Sequence, residues 1–157
     1  MNRLAVVLLL ACSLSVVSGQ EQAPSPYVTL ADAEARWRAR KPEAYEFAVE
    51  VRCFCPGLAT KPLRVSVTDG EARLLEPLGS FSPRAYDHYN TVEKLFAAIR
   101  GSFSQGRYKT VVQYHADLGY PLVADLNPSA DVEDDELFLR VTDFKVAGAP
   151  ERQAAVP

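Results

Sequence analysis

Cysteine is scarce in this chain, with three in 157 residues, and histidine occurs only twice. Three cysteines cannot staple a fold of this size, so a dense disulfide scaffold is excluded. A basic surplus is also missing: 17 lysines and arginines face 20 aspartates and glutamates, for a formal net charge of -3. Holding a phosphate backbone requires clustered cations, so no nucleic-acid partner is expected. The longest apolar run, Leu4 to Val17, has about 14 residues where a membrane span needs ~20. Phosphate-loop, dinucleotide-fingerprint, HExxH and GxSxG motifs are all absent from the sequence. What is present is 48% hydrophobic residues, enough for a packed core and too many for wholesale disorder.

The first 19 residues have the form of an export signal. Arg3 supplies a positive start, an apolar segment follows, and Val17-Ser18-Gly19 offers small residues before Gln20. Cys12, preceded by Leu9-Leu10-Ala11, resembles a lipobox, in which the cysteine becomes a lipid-bearing N-terminus. Val16 and Val17 extend the apolar run beyond that cysteine, which favours a soluble exported form, periplasmic or secreted. A membrane-anchored lipoprotein is the alternative, and only acylation of Cys12 would bring the chain to a membrane. Residues 20–28 read as a flexible leader and 147–157 as a flexible tail. The stretch 29–146 between them has the size of one ordinary domain.

Within that domain Thr29 is placed to cap a helix, with Asp32 in its first turn and Pro42 ending it. Tyr45 to Cys55 alternates, putting Phe47, Val49, Val51, Cys53 and Cys55 on one face of a strand. Asp69-Gly70 between two alternating segments predicts a two-residue type I′ hairpin pairing Val67 with Ala72 and Val65 with Leu74. A second helix is expected from Asn90 or Thr91, with Asn90 and Glu93 at capping-box spacing. Val92, Leu95, Phe96, Ile99 and Phe103 make its apolar stripe, and Gly106 its terminator. Strands are expected over Tyr108 to His115, Leu122 to Leu126 and Leu137 to about Phe144. The result is an α+β fold, an antiparallel sheet with two helices on one face, in the order α-β-β-β-α-β-β-β. That order, with Tyr45-Glu46-Phe47 echoing Tyr108-Lys109-Thr110, hints at a duplicated αβββ unit.

Several of these residues carry a family likeness. Trp37, Tyr45, Cys53-Phe54-Cys55-Pro56, the Val65 to Gly70 hairpin, Thr91 to Phe96, Tyr114 and Leu118-Gly119-Tyr120-Pro121 together resemble a bacterial domain of unknown function, number 6174. The likeness covers about residues 30 to 145. It implies an exported protein or lipoprotein, and it brings no activity with it.

Cys53 and Cys55 are the one inherently reactive pair. In an extended strand their Cα atoms lie roughly 6.6 Å apart, at the far edge of the disulfide window, so closure needs the kink that Pro56 and Gly57 can supply. Sharing parity with core residues makes them a structural bridge or core pair first. A redox couple or metal half-site acting through them is the alternative. His88 and His115 have no spacing that completes a zinc site with these cysteines. The acidic stretch Asp131 to Glu136 lacks the glycine and spacing of a calcium loop and reads as solvated. No catalytic residue, metal or cofactor is assigned, and the balance leans away from an enzyme. Tyrosines Tyr86, Tyr89, Tyr108, Tyr114 and Tyr120, with Phe54, Phe81 and Phe103, raise the prospect of a recognition surface. Phe54, Phe81, Tyr86, Tyr89 and Tyr120 are its binding candidates, and the Leu78 to Tyr89 loop is the first place to look. The expected partner is an unidentified envelope protein or peptide.

Overall fold

The computed structural model describes residues 28–54, 61–76, 86–132 and 135–147. Two helices, α1 (Leu30–Arg40) and α2 (Val92–Gln105), accompany six strands: β1 (Ala44–Cys53), β2 (Leu63–Thr68), β3 (Glu71–Leu74), β4 (Lys109–Tyr114), β5 (Pro121–Asn127) and β6 (Leu137–Val146). The strands form one antiparallel sheet in the order β3-β2-β1-β6-β5-β4. The α+β class and the expected element order are therefore those of the folded chain.

Local chemistry sets the helix ends. Thr29 Oγ1 accepts from the Asp32 backbone N–H at 3.2 Å, and Asp32 Oδ2 accepts from the Thr29 backbone N–H at 3.4 Å, a reciprocal box that satisfies otherwise orphaned donors; Oδ2 also accepts from the Thr29 hydroxyl at 2.7 Å. At α2 the cap is Thr91, whose Oγ1 accepts from the Lys94 N–H at 3.2 Å. Asn90 instead accepts from Lys94 Nζ, and Glu93 is drawn away into the tertiary structure, so the Asn90–Glu93 spacing is not used as a box. Gly106 ends α2 at φ 152, where a Cβ would meet Pro128 O at 2.2 Å, so only glycine lets the chain pass so close.

The hairpin forms in the expected register, Val65 opposite Leu74 and Val67 opposite Ala72. Asp69 and Gly70 both have positive φ, 52 and 81, as a type I′ turn requires. The two αβββ stretches occupy opposite halves of the sheet and meet at the β1–β6 pair. The first puts its leading strand at the centre and the second its closing strand. A two-fold axis normal to the sheet would thus exchange β1 with β6, and chain order does not repeat across it.

Both helices cover one face. Trp37, Phe47, Val49, Val65, Val67, Leu95, Ile99, Leu126 and Leu139 are fully buried there. The last strand reaches this core by an irregularity. Glu46 pairs with Lys145 and Ala48 with Thr142, so Asp143 and Phe144 together oppose Phe47, and Asp143 adopts φ 52. That bulge shifts the parity and turns Phe144 to the helix side. There it stacks on Tyr120 at 4.2 Å and Tyr45 at 5.4 Å and meets Trp37 edge-on at 6.1 Å.

Candidate functional site

The other face of the sheet carries no helix among the described residues. Its composition follows from strand period two: side chains opposite in parity to Val51, Leu139, Ala124 and Val112 must point there. Cross-strand pairing sets Arg52 beside Phe138, Phe138 beside Asp125, and Asp125 beside Val111, a continuous row across four strands. The next row runs Glu50, Arg140, Val123 and Gln113. Arg64, directly opposite Ala48, reaches over β1 to Asp143 Oδ2 at 3.3 Å, which explains why Ala48 is buried on a face without helices.

The most distinctive corner lies at the end of β1. The Arg52 guanidinium sits 3.9 Å from the Phe138 ring centroid, with Arg140 5.2 Å away, and Arg52 is held by Glu50 at 3.2 Å. Phe54, one position past the strand, is 79% exposed. Arg52, Cys53, Phe54, Asp125, Glu136 and Phe138 line a shallow, open recess of about 530 Å³. Arginine and aromatic side chains are residue types enriched at protein interfaces, the aromatics because they offer large area with few lost rotamers and arginine because its planar guanidinium both stacks and donates several hydrogen bonds. Phe138 and Arg140 escaped the sequence reading. Their signal was an aromatic on the polar parity of Leu137-Phe138-Leu139-Arg140-Val141.

Other candidates land elsewhere. Tyr86 and Tyr120 are 3% and 6% exposed and belong to the core, so they serve packing and not a contact surface. Tyr89 is half-buried against that core, and burial raises its pKa. Phe81, Cys55 and Cys12 lie outside the described residues, as does most of the Leu78 to Tyr89 loop. Cys53 is half-buried and packs on the core from the end of β1. The two histidines have separate surroundings. His88 meets Tyr89 edge-on, whereas His115 stacks on Tyr120 at 4.8 Å. His115 Nδ1 accepts from the Asp117 and Leu118 N–H groups at 3.2 Å each, which makes it the organiser of the β4–β5 turn. Among the described residues no group of three or more His, Cys, Asp or Glu side chains is placed to hold a metal ion.

A second cluster ties the helices to the sheet. Glu93 Oε1 accepts from Trp37 Nε1–H and from Lys41 Nζ, each at 3.0 Å, and Oε2 accepts from the Tyr45 hydroxyl at 3.4 Å. Tyr45 in turn accepts from the Val92 N–H at 3.3 Å. Burial pushes the Glu93 carboxyl up, but hydrogen bonds from Trp37, its own backbone and Lys41, with the Lys41 charge, outweigh burial and leave its pKa lowered. Burial raises the Tyr45 phenol, so it stays protonated and can donate.

Trp37, Tyr45, Glu93 and Tyr120, far apart in sequence, thus converge on one end of the core. All of them belong to the segments that carry the family likeness. The chain matches no curated protein and no solved structure. Residues 29–146 match the model of one family, described as a family of unknown function, DUF6174. Because the match takes in both helices and all six strands, the chain belongs to the family of unknown function DUF6174.

Proposed function

We propose that this protein is an exported, non-enzymatic binding module, and that the open face of its sheet docks an extended segment of an envelope protein. One observation carries the reading: Phe54 stands 79% exposed beside the arginine-flanked Phe138, on a face that no helix covers among the described residues. The apolar rings suit an aliphatic or aromatic anchor, and Arg52 and Arg140 suit flanking carboxylates. Capture from envelope extract by the mature chain tests this. Phe54→Ser with Phe138→Ala should reduce recovery of the captured partner at least about tenfold, the loss expected on removing central aromatic anchors. Unchanged recovery by the folded double variant would discard the face as the docking surface.

Export and a Cys53–Cys55 bridge belong to the same proposal. Support comes from the charged, apolar start ending at Val17-Ser18-Gly19, and from Cys53, which packs half-buried on the core with Cys55 two positions on in the sequence. With Cys53 packed on the core, the bridge acts as a local staple and not as a redox couple. The intact mass of the secreted protein, unreduced and alkylated, is expected to begin at Gln20 and carry no alkyl group on either cysteine. A chain retaining Met1, a diacylated Cys12, or two alkylated thiols would each remove a distinct part of the proposal.

A further inference from the structure

On the helix side, where the start of α1, the end of α2 and the edge strand β4 meet, lies a recess of about 730 Å³. That volume falls within the range of about 300–1,000 Å³ typical of small-molecule sites. Val28, Leu30, Phe103 and Val112 give it apolar walls. Its polar groups are few and convergent. Arg100 is paired with Glu34. Arg107 lies 3.8 Å over the Phe103 ring and pairs with no carboxylate among the described residues. Thr110 Oγ1 is buried without a hydrogen-bond partner, an arrangement that is costly unless something supplies one. The Tyr114 phenol, pushed up to about 12 by burial and by Glu34 against the opposing charge of Arg107, remains a donor at neutral pH.

We infer that this recess binds a small organic anion with an apolar body and a single carboxylate-type head. Two arginines against one glutamate make the recess cationic within a chain of net charge -3. The head would sit on the Arg107 guanidinium and meet the Thr110 and Tyr114 hydroxyls, while the body lies along Val28, Leu30, Phe103 and Val112. An inorganic anion would leave those walls wet, and a cation would face Arg107. The site is on the opposite side of the sheet from the Phe54 corner and is independent of it.

Decanoate and its neutral counterpart decanol are the probes, titrated into the full mature chain and followed by calorimetry. Decanoate is expected to bind saturably, one per chain, and at least tenfold more tightly than decanol. Arg107→Gln should weaken decanoate at least tenfold and leave decanol unchanged, whereas Arg107→Lys should keep most of the affinity. Arg107 is exposed, so both variants should fold, and unchanged circular dichroism checks this. Ala31→Trp, at an exposed helical position on the rim, should weaken both probes. Absence of saturable binding, equal affinity for the two probes, or insensitivity to Arg107→Gln would each overturn the inference.

Discussion

Replacing Gly119 by alanine should destabilise the protein by about 4 kcal/mol, combining the left-handed backbone cost with overpacking. Gly119 has φ 83, and a Cβ there would stand 2.4 Å from the Ala33 carbonyl oxygen and 2.9 Å from Arg36 Cβ. A backbone oxygen inside α1 cannot step aside without moving the helix. Displacing the loop would also loosen two anchors, since Arg36 Nη1 donates to Ala116 O at 3.0 Å and Arg40 Nη1 to Asp117 O at 3.1 Å. Gly70 provides the internal control. Its φ of 81 is nearly the same, yet nothing lies within 4 Å of the added carbon. Gly70→Ala should therefore cost only about 1 kcal/mol. Urea unfolding followed by the fluorescence of Trp37, the single tryptophan, separates the two. Equal losses in both variants would mean that the β4–β5 loop does not dock on α1 as described.

Glu93→Ala should remove about 3 kcal/mol, as expected when a charge-assisted acceptor of a buried donor is deleted. Trp37 is 1% exposed, so its indole N–H would lose a charge-assisted partner and gain in exchange only such water as enters where the carboxylate stood. The Lys41 pair adds little, because the Glu93 and Lys41 side chains are 45% and 48% exposed and solvent screens them. Glu93→Gln, which keeps an acceptor oxygen, should cost about 1 kcal/mol.

The same residue sets a pH dependence. Its folded pKa lies below the ordinary 4.5, so the ionised form contributes stability that is fully present above that value. As pH falls below it and through the folded pKa, that contribution is lost. The gap between wild type and Glu93→Gln should then be constant near neutrality and close in acid. A gap that ignored pH would show that the carboxylate charge plays no part in holding Trp37 and Tyr45.

Much of the architecture was readable one segment at a time. Asp69-Gly70 between alternating residues specified both turn and register, because a two-residue loop leaves the flanking strands one way to pair. The stripe Val92, Leu95, Phe96 and Ile99 likewise marked the buried side of α2 before any partner was known. The candidate sites were less legible. Phe54 was singled out and does stand exposed, but its neighbours Phe138 and Arg140 come from a strand more than eighty residues later. Tyr86 and Tyr120 carried the same chemical signal as a recognition tyrosine and proved to be core, since residue type does not reveal which face a loop turns inward.

Sequence alone therefore determined what depends on near neighbours: where helices start and stop, which strands alternate, and how the hairpin closes. Those outcomes follow from backbone propensity and period, which act over a few residues. Only the tertiary structure decided that β1 and β6 share the sheet's centre, that the Asp143 bulge turns Phe144 inward, and that Glu93 leaves a capping position for Trp37 and Tyr45. Each of these is a competition between a local partner and a distant one. It is settled by burial, which strengthens a hydrogen bond or ring contact made out of water and appears only once the chain has closed on itself.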